Sequence, residues 1–153
     1  MTKYSERPNT IPWPPIILVS ALAVTFLLGR TYPIALPGPL ALLGAGLVLI
    51  ALAIDLTAMV QMARNKTTIL PNQKSAALVT SGVFRYSRNP IYLANVIIVI
   101  GFGFATLNGW SIVIAPVAAF AMQRLAIERE EEHLRARFGT AFESYSARTR
   151  RWL

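Results

Sequence analysis

"PLALLGAGLVLIALAIDLTAMVQM", residues 39–62, contains no lysine or arginine and a single acid, Asp55. At 1.5 Å of rise per residue, roughly 20 apolar residues in a helix cross the hydrocarbon core of a bilayer. This stretch meets that length and reads as a membrane-spanning helix. Working outward, three further apolar runs occupy about 11–29, 90–107 and 110–127. The chain of 153 residues is 54% apolar, with a mean hydropathy of +0.49. Ordinary soluble domains are about half apolar even with glycine counted. The expected architecture is therefore one all-α integral membrane domain, residues 1–153, with four transmembrane helices. A cytoplasmic loop, 63–89, separates the second and third spans, and a cytoplasmic tail, 128–153, continues the helix of the fourth.

The charges orient this layout. Lys3 and Arg7 precede the first run, Arg64, Lys66, Lys74, Arg85 and Arg88 fall in the loop, and seven arginines follow from Arg124 onward. Arg30 alone lies on the other side, a bias of fourteen to one. Lysine and arginine accumulate on the cytoplasmic side of membrane proteins, so both termini and the loop are expected there, in a bacterial inner membrane. The net charge of +8 could also suit a nucleic-acid binder, but the basic residues flank apolar runs as topology requires, and no nucleic-acid partner is expected. A cleaved signal peptide is the other reading of the first run. Pro12, Pro14 and Pro15 instead mark a structured helix start, and no small-residue cleavage site follows Leu28. Between the third and fourth runs, "TLNGW" is expected to turn tightly, with Asn108-Gly109 supplying positive φ. Trp13 and Trp110 stand where interfacial aromatics belong.

Cysteine is absent and His133 is the lone histidine, so neither a disulfide framework nor a metal cluster is expected. The loop is too long to be a mere connection. It ends in "RYSRNPIY", Arg85 to Tyr92. Asn89-Pro90 reads locally as a helix start: asparagine is a favoured N-cap, and proline suits the first helical position. The same helix end presents unpaired N–H groups suited to a carboxylate or phosphate. Arg88 and Tyr92, four apart, are placed to reach one ligand. In the tail, Arg124 with Glu128 and Glu131 with Arg135 have i,i+4 spacing, while Phe138, Phe142, Tyr145 and Trp152 suggest an interfacial element after Gly139. Asp55, inside an apolar run, is a functional candidate by default, with pairing to Arg64 as the plainer alternative.

Two segments together carry a resemblance. "LVTSGVFRYSRNPIY", Leu78 to Tyr92, resembles the pattern L-V-x-x-G-x-[YF]-R-x-x-R-[HN]-P-x-Y. "EEEHLRARFGTAFESYSARTRRWL", Glu130 to Leu153, resembles E-E-x-x-L-x-x-x-F-G-x-x-[YF]-x-x-Y-x-x-R-[VT]-x-R. Both patterns belong to the isoprenylcysteine carboxyl methyltransferase family, related to the phospholipid N-methyltransferases. The resemblance implies a membrane enzyme that uses S-adenosylmethionine at its cytoplasmic face and takes a lipid-like methyl acceptor from the bilayer; it implies no metal and no oligomeric state. Carried over by position, Gly82, Arg88, Asn89, Pro90, Tyr92, Glu130 and Glu131 match the cofactor side. Glu131 is the expected base, should the acceptor be an amine. Two departures stand out. Asn89 replaces the histidine of the prenylcysteine enzymes, and Ala126 stands where they carry an arginine, leaving Arg124 as the substitute that would fork a substrate carboxylate. The alternatives are a methyltransferase acting on phospholipid headgroup amines and, with no account of the two motifs, a four-span transporter using Asp55.

Overall fold

The computed structural model describes residues 11–67 and 75–153; the expected flanking cations Lys3, Arg7 and Lys74 lie outside them. The elements are α1 (Trp13–Thr31), α2 (Leu40–Arg64), a 3-10 turn (Gly82–Arg85), α3 (Pro90–Ala105), α4 (Ser111–Met122), a π turn (Gln123–Ile127), α5 (Glu128–Phe138) and α6 (Thr140–Arg148). Proline sits in the first turn of α1 and of α3, where its missing N–H costs nothing. Gly139, at φ +50°, divides α5 from α6.

Three helices are long and apolar enough to cross a membrane: α1, α2 and the continuous helix Ser111–Phe138 that joins α4, the π turn and α5. The expected third span, α3, has 16 residues, because it ends at Ala105 and the chain turns at once. It is an apolar helix shorter than the roughly 20 residues typical of a crossing, so length and composition alone qualify three helices. It is also the central helix, with α1, α2 and α4 all packed on it. Ala21, Val99, Ala115 and Ala118 form one core, where α1, α3 and α4 meet. A second core joins Tyr92, Met122, Ala126 and Ile127, with Trp13 and Trp152 packed against it. Trp13, at the start of α1, packs its ring against this core.

The α2–α3 contact is made backbone to backbone. A Cβ on Gly44 would fall on the Gly101 carbonyl and the backbone of Ala105, and one on Gly101 would lie 2.9 Å from Val48 Cγ2. Small residues permit this approach, on which helix association in lipid depends. Gly44→Leu is expected to force α2 off α3 at a cost of about 1–3 kcal/mol, typical of overpacking. Thermal unfolding in detergent checks it, and a midpoint equal to that of the unsubstituted protein would refute the contact.

At the end of the bundle away from the loop, the Leu36 N–H donates to the Leu107 carbonyl (3.0 Å) and the Gly109 N–H to that of Ile34 (2.8 Å). The positive φ of this turn falls on Leu107 (+55°), not on Asn108-Gly109 as the dipeptide suggested. Asn108 instead works through its side chain, donating to the Thr25 carbonyl (2.7 Å) and accepting from the Trp110 N–H (3.1 Å). Gly109 is needed for close approach, since a Cβ there would meet Ile34.

Candidate functional site

The start of α3 is bound to the end of the chain. Asn89 occupies the N-cap position, yet its side chain makes no capping bond. Its Nδ2 donates to the Arg151 carbonyl (3.0 Å). Ser87 Oγ also donates to that carbonyl (3.3 Å) and accepts the Asn89 N–H (3.1 Å). The Arg88 N–H donates to the Arg150 carbonyl (3.0 Å). The tail is therefore fastened across the loop end, and from α6 the Tyr145 hydroxyl donates to the Phe84 carbonyl at 2.6 Å. Burial pushes the Tyr145 phenol up to about 12, so it remains a neutral donor at physiological pH. Phe142 and Tyr145 are buried rather than interfacial; the second element after Gly139 exists, but it packs inward.

Glu130 and Glu131 diverge. Neighbouring helical residues do not face one another. Glu130 Oε2 accepts the Tyr92 hydroxyl at 2.8 Å, which joins α5 to the first turn of α3. Glu131, 6% exposed, turns toward the tail. Arg151 grips it with two prongs, Nη2 to Oε2 at 2.7 Å and Nε to Oε1 at 3.1 Å, and Arg88 Nη2 lies 3.2 Å from Oε1. Both oxygens of Glu131 are thus occupied by guanidinium donors. The bond to Glu131 also raises the pKa of Arg151, which stays charged. The expected Glu131–Arg135 pair does not form; the Arg135 guanidinium lies over the Phe142 ring, 5.7 Å from its centroid. Arg88 and Tyr92, expected to share a ligand, bind adjacent carboxylates instead, and Arg88 Nε is buried without a partner.

The π turn determines which residues share this face. The Glu128 N–H reaches back to the Gln123 carbonyl, an i→i+5 bond that shifts the register of everything after it. Ala126 and Ile127 point into the core beneath Tyr92, and Gln123 Oε1 accepts the Trp152 indole N–H at 3.1 Å. Arg124 points outward, its side chain 58% exposed, paired with Glu128 at 3.2 Å and lying over the Phe120 ring. The structure therefore brings together Arg88, Asn89, Pro90, Tyr92, Glu130 and Glu131, but neither Arg124 nor Gly82. Gly82 sits at φ +59° against Gln61 of α2, whose Nε2 donates to Ser81 Oγ. Asp55 is half-buried, with Oδ1 unpartnered and no pairing to Arg64. Ser87 and Gln123 belong to the site although no motif position marks them; Arg151 is the last arginine of the tail pattern, but its pairing with Glu131 was not expected. Among the described residues, no group of His, Asp and Glu could hold a metal ion.

The sequence matches the family model described as phospholipid methyltransferase over residues 40–141, from α2 through the Glu130–Glu131 pair. The chain belongs to the phospholipid methyltransferase family. That family includes the isoprenylcysteine carboxyl methyltransferases, so both halves of the resemblance fall within it. As a phospholipid methyltransferase family member with membrane-crossing helices, it is a membrane protein of methyltransferase type. It is also similar to the nickel-cobalt-cadmium resistance protein NccN of Alcaligenes xylosoxydans xylosoxydans, at 35% identity over 82 residues. The match covers 52% of this chain and 37% of NccN, so it spans little more than a third of that protein's length.

Proposed function

We propose that this protein transfers the methyl group of S-adenosylmethionine to a lipid-soluble acceptor, at a site bounded by the start of α3, α5 and the tail, in a four-span arrangement with both termini cytoplasmic. The family match across residues 40–141 carries this reading, and the Tyr92–Glu130 bond supports its location. The residues fit such a cofactor. Arg88 Nε is a buried donor without a partner, suited to the carboxylate of the methionine moiety. Tyr92 offers an aromatic ring beside a cationic sulfonium. Glu130 offers an acceptor for an ammonium or for ribose hydroxyls. When bound, the cofactor supplies an activated methyl group on a positively charged sulfur.

The chain's own contribution is positioning. Holding an acceptor in line is the largest effect available to such a displacement. The residues leading into α3 and the strap Thr149–Trp152 are tied together by one backbone bond, from the Arg88 N–H to the Arg150 carbonyl, and by the Ser87 and Asn89 side chains on the Arg151 carbonyl. Of the two acceptor classes, the geometry favours an amine. Arg151 grips Glu131 with both prongs, Arg88 shares that carboxylate, and Arg124 faces outward on Glu128, so these three arginines are not arranged as a fork for a substrate carboxylate. An ammonium headgroup must lose a proton before its nitrogen can attack. Glu130, hydrogen-bonded to Tyr92 and not enclosed by guanidiniums, is the group placed to take it. Glu131 holds the tail.

Calorimetric titration of the purified protein in detergent with S-adenosylhomocysteine tests the reading. Saturable binding at one site is expected, weakened in Asn89→Ala, which frees the strap. A folded protein that does not bind would overturn it. Mass spectrometry of lipids after incubation with S-adenosylmethionine then separates the acceptors: methylated phosphatidylethanolamine for an amine, a methyl ester for a prenylated cysteine.

A further inference from the structure

The end of the bundle opposite the Tyr92–Glu130 pair holds a cavity of about 270 Å³, against roughly 30 Å³ for one water molecule. Phe26, Pro33, Ile34 and Leu107 wall it, the Ala35–Asn108 bridge forms part of its lining, and Arg30 also lines it. We propose that this cavity seats the phosphate-bearing headgroup of one membrane phospholipid, with the phosphate on Arg30.

Three observations converge. The first is charge. Arg30 makes no ion pair among the described residues, while the neighbouring polar side chains are committed: Thr106 Oγ1 to the Phe102 carbonyl, and Asn108 to Thr25 and Trp110. It is also the single cation that the fourteen-to-one bias leaves at this end, where topology gives no reason for one. Its place in the last turn of α1 suits the helix dipole, which accounts for a cation but not for a cavity beside it.

The second is alignment. Val19, Ala23, Phe26 and Arg30 recur at intervals of four, three and four, so they form one stripe of α1. All four are exposed, with Val19 at 64% and Phe26 at 53%. An acyl chain lying along Val19 and Phe26 leads directly to the guanidinium, which binds phosphate with two parallel N–H donors. The third is depth. The Trp110 indole N–H donates to the Tyr32 carbonyl (2.7 Å) and the Tyr32 ring is exposed, as expected at the headgroup level. The occupant is therefore a lipid and not a free ion: the site pairs one cation with an apolar stripe too long for phosphate alone.

Native mass spectrometry of the full chain in detergent, titrated with dioleoyl phosphatidylglycerol, tests the proposal independently of methyl transfer. The tightest adduct is expected to weaken at least tenfold in Arg30→Gln and to persist in Arg30→Lys. It should be lost in Ala35→Phe, which fills the cavity while keeping the charge, and be missing with dioleoylglycerol, which has no phosphate. Equal binding in Arg30→Gln would overturn the site. So would inorganic phosphate binding as tightly as the lipid, or an equal loss in Arg148→Gln, a distant exposed arginine.

Discussion

Glu130→Gln is expected to lower methyl transfer by a factor of about 10²–10⁴, the usual contribution of a general acid or base, while the protein keeps its helix content and melting temperature. The substitution preserves size and can still accept the Tyr92 hydroxyl, so packing around Tyr92, Met122 and Ile127 is retained. What disappears is the charge and the ability to take a proton. The readout that separates this from a structural role is the pH profile. The rate with Glu130→Gln should recover as the pH approaches the acceptor's own pKa, because free amine then no longer depends on a base. Tyr92→Phe should reduce turnover less, since it removes an orienting bond and leaves the carboxylate. If Glu131→Gln abolishes turnover at unchanged stability while Glu130→Gln is silent, the assignment of the two carboxylates is reversed.

Glu131→Ala is expected to destabilise the protein by about 3–5 kcal/mol, because it removes the shared partner of two guanidiniums in a largely enclosed site. Arg88 and Arg151 would be left as like charges with no carboxylate between them. The loss should spread to the strap, since Arg151 also presents the carbonyl that Asn89 and Ser87 bind. Thermal unfolding in detergent reads the total, and proteolysis at the C-terminus reads the release of the tail. A double-mutant cycle with Arg151→Ala isolates the pair, and its coupling should be a large part of the single-substitution cost. Arg151 is about a third exposed, so the coupling will be smaller than for a fully enclosed pair. Unchanged stability in Glu131→Ala would remove the reason to see this cluster as the clasp of the tail.

The contrast between the carboxylates shows how far each level of description reached. The motif E-E was legible, as was its pairing with R-N-P-x-Y, because both are local patterns at recognisable spacing. Their division of labour was not. Glu131 meets Arg151 twenty positions away and Arg88 forty-three positions back, and no periodicity links such residues. Asn89 was legible as the position before a helix-starting proline, but its side chain serves the Arg151 carbonyl, more than sixty residues on. Arg124 was misplaced for a specific reason. On an uninterrupted helix it would share a face with Glu131, seven residues on, and the π turn removes that alignment.

What the sequence by itself determined is what hydropathy and backbone chemistry carry locally. Apolar runs long enough for a bilayer dictated the helices, prolines and Gly139 placed their ends, and two motifs disclosed the family. Only the tertiary structure decided that α3 is a short helix enclosed by its neighbours. It alone decided that the aromatic tail folds inward, and that one glutamate is bound by arginines while the other meets a tyrosine. The physical reason is that burial and ion pairing depend on which surfaces meet. That is set by helix packing and by the register slip at Gln123–Ile127, neither of which leaves a trace in the spacing of residues along the chain.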